Sequence, residues 1–219
     1  GHLMKAIVCT QLGGPDQLTL QSLPDPRPGP HEVCIAVAAA GINFPDTLMI
    51  QGKYQVRPPL PFVPGAEVAG EVIEVGAEVT RFAVGDRVAA FVPVGGYAAK
   101  AVASEHECLA LPDGMSLIEG GGYGLVYGTV SHALMQCANL QPGETLLVLG
   151  AAGGVGLAAV QLGKLMGARV IAAASTADKL ALTRAHGADD TINYREQSLK
   201  GEVKALTQGE GANVIFDPV

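Results

Sequence analysis

The chain has 219 residues, of which 48% are hydrophobic, 16% charged and 5% aromatic, and its formal net charge is −7 at pH 7. Disordered proteins carry more charge and less apolar content, so this composition predicts a well-packed globular protein with one large domain or two ordinary ones. The negative charge would repel phosphate backbones, so we expect no nucleic-acid partner. No apolar run approaches the roughly 18 residues that a membrane span needs, and we expect no membrane partner.

The N-terminus and the cysteines bear on the cellular location. Residues 1–3 resemble a vector remnant ahead of Met4, and no secretory signal follows them. The four cysteines stand far apart and form no CxxC pair. This spacing favours reduced thiols packed as small apolar groups over a disulfide framework. We therefore expect a cytoplasmic protein.

Residues 1–125 contain short β-like runs that are separated by proline and glycine. Pro24, Pro26, Pro28 and Pro30 alone exclude a helix from their segment. Many short strands at this spacing predict a barrel or a sandwich. The predicted strands are Lys5–Cys9, Leu18–Ser22, Glu32–Ala39, Glu67–Val75, Arg87–Val92 and Tyr97–Val102.

Beyond residue 140 the pattern changes to a strict alternation of strands and helices. Such alternation predicts a parallel, doubly wound α/β sheet. Gly167 and Gly187 follow two of the helical runs, where glycine commonly ends a helix. The predicted elements are strand Thr145–Leu149, helix Gly154–Met166, strand Arg169–Ala174, helix Ala177–His186, strand Asp190–Asn193, helix Glu196–Thr207 and strand Asn213–Phe216.

A glycine cluster joins the first strand of this half to its first helix. The strict dinucleotide fingerprint is GxGxxG between a strand and a helix, and here the frame reads Ala151-x-Gly153-x-x-Gly156. Gly153 would let a pyrophosphate approach the backbone, and Gly156 would let the helix pack closely on the sheet. The N–H groups of Gly154 and Val155 would face the anion. A tight turn without a ligand is the alternative, but the repeated β-α-β pattern around it favours a dinucleotide site.

The residues that follow the second strand distinguish NAD from NADP. An acid about 20 residues beyond the glycines binds the ribose 2′-hydroxyl in NAD-binding proteins. This chain has Ser175 and Thr176 there, followed by Lys179. A hydroxyl and an ammonium group attract a 2′-phosphate, which an acid would repel. The pattern favours NADPH as cofactor, although Lys179 could also be a solvated charge on a helix face.

Five segments carry motifs that recur together in one known family. They are AGINFPDTLMIQGKY (40–54), VPGAEVAGEVIEVGAEVTRFAVGDRVAA (63–90), GTVSHAL (128–134), LGAAGGVGLAAVQLGKLMGA (149–168) and GADDTINYRE (187–196). In this order they resemble the medium-chain dehydrogenase/reductases, and among these the zinc-independent quinone oxidoreductases of the zeta-crystallin type.

The resemblance implies a fold and a domain organisation. It implies a GroES-like β-rich catalytic domain over residues 1–125, followed by a Rossmann dinucleotide-binding domain over 126–219. The family sheet has six strands and this chain supplies four, so we expect a Rossmann domain truncated at its C-terminus. We also expect a homodimer.

The resemblance further implies roles for single residues near the reacting atoms. Zinc-dependent relatives have a Cys and a His where this chain has Asn43 and Ala66, which implies that no metal is bound. Asn43 resembles a residue that contacts the nicotinamide amide, and Thr129 resembles a threonine near the same ring. Tyr54 resembles a tyrosine facing the substrate, although it could equally be an ordinary half-buried loop residue. Leu48 replaces a frequent aromatic residue, which leaves the shape of the substrate pocket open.

These observations combine into one functional prediction. Without a Lewis acid, reduction of a quinone or conjugated enone is easier than reduction of a simple ketone, because the π-system spreads the developing charge. We expect an NADPH-dependent, zinc-independent oxidoreductase that acts on such small molecules, with Asn43 and Tyr54 as catalytic residues. A non-catalytic NADPH-binding protein, as among lens crystallins, and an enoyl-thioester reductase are the alternatives. For the carboxylates Asp46 and Glu67 no catalytic role is assigned, and Glu67 could be structural.

The expected cofactor-binding residues come from both halves of the chain. In the related proteins a lysine and a tyrosine that match Lys179 and Tyr194 reach the 2′-phosphate. The full predicted set is Asn43, Thr129, Gly153, Gly154, Val155, Gly156, Ser175, Lys179 and Tyr194.

Overall fold

The structure is a computed structural model that describes residues 2–218. The chain divides into two compact units, Gly1–Leu125 and Val126–Val219. The first is built mainly of antiparallel strands and the second of a parallel sheet with helices. The α/β fold class predicted from the sequence is therefore confirmed.

Antiparallel strands form the framework of the first unit. Their bounds are β1 Leu3–Cys9, β2 Leu18–Pro24, β3 Glu32–Gly41, β4 Glu67–Val75, β5 Arg87–Phe91, β6 Lys100–Ser104 and β7 Cys108–Ala110. Within residues 2–125, β1 and β2 pair as a ribbon, and the other strands form a curled sheet in the order β6-β3-β4-β5-β7. Two register shifts in β3 interrupt its pairing with β4. Such irregularities bend a strand and so favour the curl of the sheet.

The core of the first unit comes from the alternating pattern of its strands. Val33 and Ile35 of β3 are fully buried together with Val68 and Val72 of β4. Side chains two residues apart lie on the same face of a strand, so this spacing turns one face of the sheet inward.

A short helix, α1 (Phe44–Ile50), follows β3 and was not predicted from the sequence. Asn43 lies at its N-cap, and the Asp46 carboxylate accepts a hydrogen bond from the Asn43 main-chain N–H at 2.8 Å. Proline is compatible with the first turn of a helix, because the main-chain N–H that it lacks would have no partner inside the helix at that position. The run Asn-Phe-Pro-Asp was therefore a readable start signal.

The sequence analysis also failed to predict two further α-helices and one π-helical segment. These are α2 (Leu117–Gly120), α3 (Gly124–Ser131) and a π-helical segment, His132–Cys137. Glycine makes up much of residues 120–128, and its low helix propensity hides such elements from sequence reasoning.

The second unit follows the predicted alternation closely. Its elements are β8 Thr145–Val148, α4 Gly154–Leu165, β9 Arg169–Ala174, α5 Ala177–Ala185, β10 Asp190–Asn193, α6 Leu199–Leu206 and β11 Val214–Phe216. In the described part of this unit the strands are parallel in the order β10-β9-β8-β11. The largest shift is in α6, which begins three residues later than predicted because the Ser198 hydroxyl caps it by accepting from the Gly201 N–H at 3.2 Å.

Both faces of this parallel sheet are buried. Leu146 and Val148 of β8 pack in one cluster with residues of α4, whereas Leu147 packs with Ile171 and with Val203 of α6. A strand that is covered on both sides reads as a continuous apolar run, which is how β8 appears in the sequence. No helix in the described part of the chain is long and apolar enough to cross a membrane.

The four cysteines differ in burial, and we expect them to differ in reactivity. Burial raises the pKa of the Cys108 thiol to about 11 and also raises the pKa values of Cys9 and Cys34, whereas Cys137 is exposed. The thiolate is the reactive form, so at about pH 8 the buried Cys108, with its raised pKa, should be alkylated far more slowly than the exposed Cys137. Mass-spectrometric mapping of iodoacetamide adducts on the folded protein measures both rates.

The pH dependence supplies the control for this prediction. A raised pKa means that Cys108 stays largely protonated until the pH approaches 11, so its labelling should keep rising with pH up to that range. Cys137→Ser should remove the fast adduct only. Equal labelling of Cys108 and Cys137 at neutral pH would contradict the described burial.

Candidate functional site

The turn after β8 brings the chain from the sheet into α4. Gly150 has a φ of 55°, a left-handed conformation that suits glycine. Its carbonyl accepts a hydrogen bond from the Gly153 N–H at 3.1 Å, and the Ala151 N–H donates to the Ala173 carbonyl at 3.1 Å. One hydrogen bond within the turn and one to the neighbouring strand β9 therefore hold its conformation.

Two glycines of the fingerprint have different surroundings. A methyl group at position 156 would lie 2.5 Å from the Gly150 carbonyl oxygen and 2.7 Å from the Ala151 Cα. At position 154, no atom outside the immediate helix lies within 4 Å of such a group. Gly156 thus allows the close packing of α4 on the turn, whereas Gly154 borders open space.

The start of α4 can receive an anion. The N-cap residue is Gly153, which has no side chain to cap the first turn. The N–H groups at a helix start point outward and carry partial positive charge, which suits a phosphate. Gly154 and Val155, both predicted to bind the cofactor, begin this helix.

A cavity of about 170 Å³ opens beside this turn, at the ends of β9 and β10. Three of the predicted residues, Ser175, Lys179 and Tyr194, line it together with the glycine turn. The complete lining is Gly150, Ala152, Gly153, Ala174, Ser175, Lys179 and Tyr194. The sequence reasoning had not included Gly150, Ala152 and Ala174, although Ala152 and Ala174 adjoin predicted residues and Gly150 precedes Gly153 by three positions.

The side chains of this cavity include three groups that can donate hydrogen bonds, on Ser175, Lys179 and Tyr194. The Lys179 Nζ lies 3.4 Å from the Ser175 Oγ, to which it donates. Lys179 stands in the first turn of α5, where its main-chain N–H donates to the Thr176 hydroxyl at 3.3 Å. None of the described residues that line the cavity is acidic. An ammonium group and two hydroxyl groups therefore face this space.

A second polar cluster lies in the first unit and contains Asn43. Its side-chain Nδ2 donates to the Glu67 Oε1 at 2.9 Å, and the other carboxylate oxygen of Glu67 accepts from the Leu125 main-chain N–H at 2.9 Å. Asp46 accepts from the Tyr97 hydroxyl at 2.8 Å. Burial and the bond to Asp46 raise the pKa of Tyr97 well above its usual range, so the hydroxyl remains a donor. Sequence reasoning gave Tyr97 no role.

The two other residues predicted near the reacting atoms lie in different surroundings. Tyr54 is half-buried against an apolar cluster that includes Met49 and Phe62. Thr129 is exposed on α3. Their assignment to the substrate and to the nicotinamide stays a prediction.

The positions that hold zinc ligands in related dehydrogenases contain other residue types here. Asn43 is bonded to Glu67, and Ala66 is buried with no side-chain atom that could bind a metal. Within residues 2–218, no group of three or more His, Cys, Asp or Glu side chains is arranged to hold a metal ion.

Comparison with known protein families gives two matches. The alcohol dehydrogenase GroES-like domain matches residues 29–131, and the zinc-binding dehydrogenase domain matches residues 154–219. The two matches follow each other in the order expected from the sequence motifs.

Individual proteins and solved structures are similar over nearly the whole chain. The quinone oxidoreductase-like protein 2 homolog of Nematostella vectensis is 42% identical over 98% of this chain and 59% of its own length. The quinone oxidoreductase of Pseudomonas aeruginosa is 41% identical over 99% of this chain and 67% of its own. The crystal structure of Escherichia coli quinone oxidoreductase complexed with NADPH has a TM-score of 0.88 at 34% identity, covering 97% of this chain and 65% of that one.

The different surroundings of the two glycines give a stability prediction. Gly156→Ala should lower the melting temperature by several degrees, because a methyl group 2.5 Å from a main-chain oxygen forces α4 away from the turn. Gly154→Ala is the matched control and should leave the melting temperature nearly unchanged. Thermal unfolding followed by circular dichroism measures both, and equal effects would contradict the described packing.

Proposed function

Since this chain belongs to the quinone oxidoreductases of the medium-chain dehydrogenase/reductase superfamily, we propose that the complete protein transfers hydride from NADPH to quinones or other conjugated carbonyl compounds, without zinc. The observation that carries the proposal is the cavity of Ser175, Lys179 and Tyr194 beside the uncapped start of α4. The chain spans 59% of the length of the first relative, so the proposal concerns the complete protein.

The chemistry of the cavity supports NADPH over NADH. The 2′-phosphate is an anion, and Lys179 would donate to it as an ammonium group while Ser175 and Tyr194 would donate as hydroxyls. An acid that could bind the 2′-hydroxyl of NADH is missing from the described lining. The similar Escherichia coli enzyme was crystallised with NADPH.

The remaining predicted residues would hold the other parts of the same cofactor. Gly153, Gly154 and Val155 would receive the pyrophosphate at the start of α4. Asn43 and Thr129 would contact the nicotinamide. The bound cofactor supplies the hydride, whereas the protein orients it and excludes water.

The residues at the positions that hold zinc ligands in related dehydrogenases support a reaction without zinc. A metal needs nitrogen, thiolate or carboxylate ligands, but Ala66 offers none and the amide of Asn43 is bonded to Glu67. The name of the second matched domain refers to zinc, but residue types decide whether zinc binds. Without a Lewis acid, charge that develops on the substrate oxygen must be delocalised or hydrogen-bonded.

Cofactor choice can be tested at Lys179. Lys179→Ala should weaken NADPH binding by about 1.5–3 kcal/mol, the range for hydrogen bonds to charged groups. NADH binding should hardly change because NADH has no 2′-phosphate. Fluorescence titration of the complete protein with each cofactor measures both affinities.

Lys200→Ala serves as the control, because Lys200 is an exposed lysine on the neighbouring α6. It should leave both affinities unchanged. An equal loss for NADPH and NADH in Lys179→Ala would show that this side chain supports the fold rather than the phosphate.

The reaction itself can be tested with two classes of substrate. The complete protein should oxidise NADPH with 1,4-benzoquinone and should reduce a simple ketone such as acetone at least about 10²–10³ times more slowly, the usual effect of one missing oxyanion donor. Prior dialysis against a chelator should leave the quinone rate unchanged. Absorbance of NADPH at the nicotinamide band follows each reaction.

The outcomes separate the alternatives. Efficient oxidation of isopropanol, or loss of the quinone rate after chelation, would contradict a reaction without zinc. Tight NADPH binding without turnover of any conjugated acceptor would instead favour the non-catalytic alternative. Turnover restricted to enoyl thioesters would identify the reductase of that class.

A further inference from the structure

Asn43 is held at two atoms by two buried carboxylates. Its main-chain N–H donates to Asp46 at 2.8 Å, and its side-chain Nδ2 donates to Glu67 at 2.9 Å. Both acids are only 4% exposed. Neither takes part in any ion pair found among residues 2–218. Buried carboxylates without a cation are unfavourable unless hydrogen bonds compensate them, so each of these bonds matters.

Both oxygens of the Glu67 side chain accept hydrogen bonds. One oxygen accepts from Asn43 and the other accepts from the Leu125 N–H at the start of α3, both at 2.9 Å. In this geometry Glu67 acts as a double acceptor, with one donor on each oxygen.

Close packing restricts the Glu67 carboxylate to one position. A methyl group on Gly41 would lie 2.2 Å from the Glu67 Oε1 and 2.5 Å from the Gly121 carbonyl oxygen. The carboxylate thus lies directly against the main chain of β3, in room that only glycine provides. Glu67 is positioned by packing as well as by its two hydrogen bonds.

We infer that Glu67 is a positioning residue that fixes the rotation of the Asn43 amide and so sets which part of the nicotinamide Asn43 recognises. The inference rests on the proposed contact between Asn43 and the nicotinamide. Nδ2 donates to Glu67, so the Asn43 amide oxygen faces away from that carboxylate, and one of its two lone pairs would accept from the NH₂ of the nicotinamide carboxamide.

This arrangement predicts selectivity between NADPH and its reduced 3-acetylpyridine analogue, which has a methyl group in place of that NH₂. The complete wild-type protein should bind NADPH about three- to tenfold more tightly than the analogue, the usual value of one hydrogen bond. In Glu67→Gln, the introduced amide can accept from Leu125 only by turning its own NH₂ towards Asn43, which rotates the Asn43 amide. The selectivity should then fall to about one.

A double variant that exchanges the amide of residue 43 and the carboxylate of residue 67 gives the decisive test. In the double variant Asn43→Asp with Glu67→Gln, the glutamine accepts from Leu125 and donates to the aspartate, whose second oxygen again faces the cofactor as an acceptor. The selectivity for NADPH should return to within about threefold of the wild-type value. Asn43→Asp alone places two carboxylates together and should bind both cofactors poorly. Fluorescence titration gives each dissociation constant.

The controls separate this inference from the proposed function. Glu71→Gln changes an exposed acid on the same strand and should keep wild-type selectivity. If Asn43→Ala leaves NADPH affinity unchanged, the proposed contact with the nicotinamide is wrong. If Asn43→Ala weakens binding but Glu67→Gln keeps the selectivity, only the positioning role is overturned. Should Glu67→Gln fail to fold, the double variant still decides, since lost selectivity there contradicts the inference.

Discussion

The dinucleotide site depends on one close contact, the approach of α4 to the turn that follows β8. The contact exists because Gly156 has no side chain where a methyl group would meet the Gly150 carbonyl oxygen at 2.5 Å. It places the start of α4 at the ends of the parallel strands, beside Ser175 and Lys179. In open parallel sheets this edge is where ligands commonly bind, so the packing that Gly156 allows also shapes the cavity that we propose for the cofactor.

The polar cluster of the first unit follows a different rule, because it is built from buried acids. Asp46 and Glu67 could not remain buried without donors, and the donors are main-chain N–H groups, the Asn43 amide and the Tyr97 hydroxyl. The same bonds that compensate the acids also restrain Asn43. The burial of the two acids and the orientation of the Asn43 side chain are therefore linked in this cluster.

The sequence predicted the elements with local signals and missed the contacts between distant residues. The bounds of β4 and β9 were predicted without error, because β4 mixes valine and isoleucine with glutamate over one uninterrupted segment and β9 is an apolar run that ends in a turn. By contrast, the strand predicted from Tyr97 begins only at Lys100, and the main chain before it bonds to β1, where the Ile7 N–H donates to the Tyr97 carbonyl and the Ala99 N–H donates to the Lys5 carbonyl. The cavity could be predicted in part because parallel strands end at the same edge. The partner of Asn43 could not, because no spacing rule joins it to Glu67.

Three helix starts show how the chain restricts where an anion can bind. At α3, the Glu67 carboxylate already accepts from the Leu125 N–H, so this start is occupied by an acid of the chain itself. At α5, the Thr176 hydroxyl caps the first turn by accepting from Lys179. Only α4 among these begins at a glycine without a side-chain cap. Because capped starts have less capacity for a ligand, the start of α4 is the one of these three that could best receive a phosphate, and the Lys179 side chain of α5 adds positive charge to the same cavity.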